Sequence, residues 1–230
     1  MTGASAWSVA LVGMQGSMVE VEAAISSGLP RTVLVGLPGA ALHEARDRCR
    51  AAVCATGLSW PSNVLTINLT PAGLPKAGTH FDLAIAAATL AADKKVPQTL
   101  LGSTVLIGEL GLDGRIRPVR GVLPALLAAR EAGFERAVVP MSQRDEARLV
   151  EGLTVWPVGH LGDVRLGHGA ARHPDVDVGL KQCVAELAAQ TQRVGGGGEL
   201  ALVLGEVAAL RFDDAARVGD DDVLDPGEHE

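Results

Sequence analysis

Hydrophobic and polar positions alternate most cleanly over residues 19–25, where Val19, Val21, Ala23 and Ile25 interleave with Glu20, Glu22 and Ala24. A period of two sends successive side chains to opposite faces, so this run predicts a strand with one face buried and one wet. Residues 9–12 predict its partner, with Met14–Ser17 as a glycine-containing turn. Residues 32–37 are almost continuously apolar, the pattern of a strand buried on both faces. The period then lengthens. Leu42, Ala45, Cys49, Ala52, Val53 and Thr56 recur three or four apart, which predicts a helix over 42–56 stopped by Gly57. Glu44 and Arg48 stand four apart on it, in the order that favours an ion pair.

Residues 64–69 predict another strand, and an Ala/Leu helix over 81–92 follows a turn, with Thr79 or His80 near its cap. Short strands are expected at 104–108, 115–119, 137–139 and 155–158, and a helix at 122–132 ended by Gly133. A short helix is expected over 142–150, with Ser142 as N-cap and Asp145 at N3. Strands and helices of these lengths in alternation make a layered α/β or α+β domain. Past residue 167 the texture changes: a helical pattern over 178–192, four glycines at 195–198, an apolar stretch at 199–210 and an acidic end. The expected division is a folded body, 1–166, and an acidic, partly disordered tail, 167–230.

Composition sharpens this picture. Hydrophobic residues make up 47% of the chain, yet there is no Tyr and only three Phe and three Trp, so Val, Leu, Ile and Ala must build the core. The formal charge of −7 is uneven: residues 1–166 hold 15 basic and 14 acidic residues, the rest 5 and 13. A near-neutral body gives no global case for nucleic-acid binding, which wants a basic surface. Cys49, Cys54 and Cys183 show no CxxC spacing and read as small buried hydrophobes in a reducing compartment. No basic n-region precedes the first apolar residues, and the apolar run at 83–92 is far short of a bilayer span. A soluble, cytoplasmic protein without a membrane partner is expected.

Candidate chemistry is sparse. None of Lys76, Lys94, Lys95 and Lys181 sits in a Gly-Lys-Ser/Thr context, so no P-loop is present and no cofactor is expected. The stretch Val35-Gly36-Leu37-Pro38-Gly39 reads as a plain strand-to-helix turn. Lys76, Thr79, His80 and Asp82 cluster before a helix, but neighbours two apart on a helix do not face each other. Helix capping and surface charge are the expectation there, catalysis the alternative. The six histidines show neither an i, i+4 pair nor HExxH, and His168 and His173 beside Asp175 and Asp177 are too loose for a metal site. Neither catalytic nor metal-binding residues are assigned. Arg46, Arg48 and Arg50 alternate along one helix, and Arg115, Arg117 and Arg120 line a strand and its exit. Of these, Arg46, Arg50, Arg115 and Arg117 are the candidate contacts to DNA phosphates or to a neighbouring subunit.

Four blocks carry a family resemblance: VEVEAAISSGLPRTVLVGLP, HEARDRCRAAV, TINLTPAGLPKAGTHFDLAIAAATLAA and GELGLDGRIRPVRGVLPALLAAREAGFERAVVP. In order and spacing they resemble ComM/YifB proteins, magnesium-chelatase-related members of the AAA+ group, over about residues 7–160. Gly73 stands where the family usually has an acidic or amide residue. The resemblance implies an α+β, Lon-protease-like fold, two-layered and with a left-handed βαβ crossover against the usual rule. It implies an N-terminal domain that precedes an ATPase module using ATP and Mg, in hexamers that drive branch migration of DNA during natural transformation. The match fades near residue 160, so truncation before that module is the expectation.

Comparison with Lon proteases bears on catalysis. Where Lon carries its Ser in a KDGPSAG-like turn, this chain reads Lys76-Ala77-Gly78-Thr79-His80, with His80 at the Ser position. Where Lon carries its Lys in a GGLKEK-like segment, the chain has Leu123. With both partners of the dyad replaced, a non-enzymatic assembly or DNA-guiding domain is expected. The alternatives are a peptidase remodelled around Thr79, His80 and Asp82, and a magnesium-chelatase-like subunit.

Overall fold

The computed structural model describes residues 2–37, 39–76 and 78–165. The first two strands, β1 (Thr2–Val12) and β2 (Gln15–Ser26), form a long antiparallel hairpin. Its turn is the pair Gly13-Met14, and Gly13 takes φ 62°, as the first position of a type II′ turn requires. β1 begins well ahead of its predicted start because small residues at 2–6 continue the pairing along β2. Next come β3 (Arg31–Val35), α1 (Gly39–Ala55) and β4 (Val64–Thr70), a crossover joining two parallel neighbours. Then follow α2 (Asp82–Ala92), α3 (Gln98–Leu101), β5 (Thr104–Leu106), and a two-stranded hairpin of β6 (Glu109–Leu110) and β7 (Ile116–Arg117). The described chain closes with α4 (Val122–Glu131), β8 (Arg136–Pro140), α5 (Arg144–Ala147), β9 (Thr154–Val158) and α6 (Leu161–Arg165).

Seven strands make one sheet in the order β3-β4-β2-β1-β5-β8-β9. It is mostly parallel: β3–β4, β1–β5, β5–β8 and β8–β9 run together, while β1–β2 and β2–β4 are antiparallel. α1 and α2 cover one face, where Val19, Val21, Ala23, Leu65, Ile67 and Leu69 meet Ile85 and Val53. On the other face, α4 and α5 cover the β1–β9 side, where Val9, Val105 and Val139 meet Leu126 and Ala147. Over β3 and β4 that second face is open to solvent at Thr66 and Thr70, so the molecule there is helix on sheet alone. This is a mixed α+β architecture consistent with a Lon-like fold.

All eleven residues of α2 are buried, between the sheet and α1. A helix apolar on every side belongs inside, and its six alanines let backbone approach backbone. At the hairpin tip the approach is closer still. A Cβ on Gly16 would stand 2.4 Å from Ala128 Cβ and 3.1 Å from Val9 Cγ1.

Several expectations need correction. β3 is not buried on both faces: it is an edge strand, Leu34 alone is buried, and Val35 is 48% exposed. Its apolar run reflects Leu34 in the first core, Leu37 partly buried against the same core, and Val33 and Val35 on the other face. Ser142 does not cap a helix, because residues 141–143 form a 3-10 turn and α5 starts only at Arg144. Neither Thr79 nor His80 caps α2 through its side chain, since the N-cap is Phe81. Cys49 is buried as expected, whereas Cys54 is exposed on the opposite side of α1. Among the described residues no helix is long and apolar enough to cross a membrane. The elements expected at 178–192 and 199–210, the acidic end, Cys183, His168, His173, Asp175 and Asp177 lie outside the described residues.

Candidate functional site

The densest charge chemistry lies where the chain enters α2. Here the turn is pinned to the end of β5: Gly108 N–H donates to the His80 carbonyl and Leu83 N–H to the Gly108 carbonyl, each at 3.1 Å. Asp82, the first residue of α2, thereby points inward and is only 1% exposed. Arg48 of α1 meets it as a fork, Nε to Oδ2 at 2.7 Å and Nη2 to Oδ1 at 3.2 Å. Leu110 N–H donates to Oδ2 at 3.3 Å, and the Cys49 thiol donates to the Asp82 carbonyl at 3.4 Å. Burial lifts the Asp82 carboxyl to about 6, outweighing the hydrogen bonds and charge of Arg48, with Glu109 pushing the same way. The same pairing raises Arg48, whose Nη1 also lies 3.6 Å from Glu44 as the i, i+4 spacing foresaw.

Around this pair sit the other members of the cluster. The Thr79 hydroxyl donates to Glu109 Oε2, and Arg117 Nη1 approaches Glu109 Oε1 at 3.9 Å. Lys76 is 2% exposed; its Nζ donates to the carbonyls of Pro71 and Leu74, and burial lowers its pKa. Burial also lowers His80, against the contrary pull of the Val9 backbone, and its Nε2 has no hydrogen-bond partner among the described residues. Thus Lys76 and Asp82 are interior charges, not the surface charge expected from the sequence. Asp82 found its partner across space on α1, and Thr79 serves Glu109 rather than the helix end.

The family profile described as "ChlI: Subunit ChlI of Mg-chelatase" matches residues 21–143, just over half of the chain. The chain belongs to this ChlI-related family. An uncharacterized protein of Mycobacterium tuberculosis (strain H37Rv) is 55% identical over 160 residues, covering 70% of this chain and 32% of its own length. Escherichia coli (strain K12) YifB is 40% identical over 152 residues, covering 66% and 30%. Competence protein ComM of Haemophilus influenzae is 38% identical over 164 residues, covering 71% and 32%. A weaker likeness, 24% over 160 residues, reaches Lon protease 2 of Bacillus subtilis. The ComM/YifB resemblance therefore holds, and the chain spans about a third of the length of the curated relatives it matches.

Within this ChlI-related domain the junction is held together by backbone hydrogen bonds. Three of the first four amides of α2 are used: Asp82 N–H by the Thr79 carbonyl, Leu83 N–H by the Gly108 carbonyl and Ile85 N–H by the Phe81 carbonyl. His80 packs against Phe81, with ring centroids 4.0 Å apart. Leu123, in the first turn of α4, is partly buried against the second core and gives its N–H to Glu146 at 3.2 Å. Among the described residues no group of three or more His, Cys, Asp or Glu could hold a metal ion.

The four arginines singled out from the sequence lie on two elements. Arg46 and Arg50 share a face of α1 turned away from Arg48; Arg46 Nε pairs with Asp47 at 2.9 Å, while Arg50 is exposed. Arg115 and Arg117 flank the β6–β7 turn, with side chains 79% and 60% exposed, near Asp113 at 3.4 Å and Glu109 at 3.9 Å. Gly114 in that turn rests on α1, where a Cβ would stand 3.4 Å from the Ala52 carbonyl. Sequence reasoning missed Arg48 and Glu109 as members of the buried cluster. An arginine already credited with Glu44 gave no sign of a second, interior partner. Glu109 lies in a two-residue strand too short to leave a pattern.

Proposed function

We propose that this chain is a non-catalytic, cytoplasmic docking domain of a ComM/YifB-type protein, one that assembles with itself and guides DNA. ATP and Mg chemistry would belong to other parts of such assemblies. The observation that carries this reading is the junction before α2. The interior there is filled by an Arg48–Asp82 pair and by hydrogen bonds that occupy the Asp82, Leu83 and Ile85 amides, while arginines on α1 and the β6–β7 turn stay accessible. A rigid body bearing scattered exposed arginines fits phosphate or subunit contact better than turnover. Arg46, Arg50, Arg115 and Arg117 are the proposed contacts. The competence role in the printed name of the Haemophilus relative points in the same direction.

Size exclusion with light scattering, run with and without single- and double-stranded DNA, tests assembly and binding together. Binding should weaken steeply with salt, by about one log unit of slope per phosphate neutralised. Replacing Arg50, Arg115 and Arg117 by Ala should flatten that slope. A monomer with no DNA affinity at low salt would overturn the proposal. A remodelled peptidase has one observation in its favour, the Thr79 hydroxyl bonded to a carboxylate. Casein cleavage lost in Thr79→Val would establish it. Micromolar ATP binding by the chain would instead favour a chelatase-like role.

A further inference from the structure

The β6–β7 hairpin has two residues in each strand, too few to hold a position unaided. Distant parts of the chain hold it at both ends. At its inner end Leu110 N–H reaches Asp82 Oδ2, and Glu109 accepts the Thr79 hydroxyl. At its outer end the segment between β9 and α6 meets it in an isolated antiparallel bridge, Arg115 opposite His160. Ile116 N–H donates to the Gly159 carbonyl and Leu161 N–H to the Gly114 carbonyl, both at 2.8 Å. His160 closes the clasp. Its Nδ1 accepts Gly162 N–H at 3.1 Å, which leaves the proton on Nε2 to donate to the Asp113 carbonyl at 2.9 Å. Gly114 lies close to the ring, where a Cβ would be 2.8 Å from both Cε1 and Nε2, and takes φ 84°. Only glycine meets both demands.

We propose that this hairpin is a mechanical coupler between the His160 clasp and the Arg48–Asp82 pair that anchors α1. Movement of the chain segment leaving β9 is transmitted through Gly114 and Leu110 to the carboxylate that holds Arg48. The physical reason is that each clamp bonds to backbone groups of the same short hairpin, so displacement at one clamp strains the hydrogen bonds of the other. In an assembly, tension on α6 would reset the presentation of Arg115, Arg117 and the outer face of α1 together.

Amide hydrogen exchange on the full chain, with the Arg48 Nε resonance as a second reporter, tests this. His160→Ala should speed exchange at Ile116 and Leu161, and also at Leu110, by roughly 3- to 10-fold, the scale of one hydrogen bond. It should also shift the Arg48 Nε signal. In the reverse direction Asp82→Asn should speed exchange at Leu161. His160→Gln, which keeps a donor, should recover part of the protection at Leu110. Changes confined to Ile116 and Leu161 in one variant, and to Leu110 in the other, would overturn the coupling. DNA binding does not enter these readouts, so the coupler stands or falls apart from the proposed function.

Discussion

Asp82 carries its carboxylate in the interior, and its titration can be read as stability. In the fold it titrates near 6, against about 3.9 in an unfolded chain, because burial disfavours the charged form more than Arg48 favours it. The folded state therefore holds a proton that the unfolded state has lost between those values. Stability from this group is fully present below about pH 4, falls as pH rises through about 6, and is flat above. The span is on the order of 2–3 kcal/mol. Urea unfolding of wild type and Asp82→Asn at steps from pH 4.5 to 7 should show that slope in the wild type only. A falling slope retained in the variant would assign the titration elsewhere, whereas a rise with pH is the expected contribution of His80, which burial holds below its ordinary value. Arg48→Met should act in the opposite sense, leaving a buried carboxylate without its fork. It should cost roughly 3–5 kcal/mol at pH 7 and less at pH 5, where Asp82 is already protonated.

Elements show where pattern suffices and where it does not. α2 was legible because the ten apolar and small residues from Leu83 to Ala92 suit a helix buried on every side, and β2 because its alternation puts Val19, Val21 and Ala23 under α1 and α2. β3 was misjudged because an apolar run does not say which neighbours exist; with β4 on one side only, Val35 stays exposed. The buried cluster was half legible. Lys76, Thr79, His80 and Asp82 were visible as a group, but burial of Asp82 depends on Arg48 arriving from 34 residues away, which no local spacing records. Gly16 is similar: in sequence a turn residue, in the structure the point where β2 touches α4. Gly16→Ala must push its Cβ into Ala128 and Val9, and overpacking of this kind costs about 1–3 kcal/mol. Gly13→Ala, with no atom within 4 Å of its Cβ, tests backbone strain alone at φ 62°. A thermal midpoint unchanged in Gly16→Ala would mean that α4 yields more easily than this packing implies.

At the scale of the whole body, β1 decides whether the two cores are one cooperative unit. Ala6 and Ala10 face the core under α1 and α2, and Val9 faces the core under α4 and α5, so one strand belongs to both. β1 also stands at the centre of the seven-stranded order, paired with β2 on one side and β5 on the other. Loss of either core would expose a face of that central strand and remove its pairing partners, which argues for a single transition. The tryptophans can report this separately, since Trp60 packs in the first core and Trp7 against the second, where it meets Phe134 at 5.4 Å. Variants that keep only Trp60 or only Trp7 should give fluorescence midpoints in urea that coincide with each other and with far-ultraviolet dichroism. Leu126→Ala, a cavity in the second core alone, should cost about 2–5 kcal/mol and move both midpoints equally. If Trp7 lost its signal in Leu126→Ala while Trp60 kept its wild-type midpoint, β1 would be a seam between two separately stable halves. The coupling of α1 to the β6–β7 hairpin would then have to run entirely through Asp82.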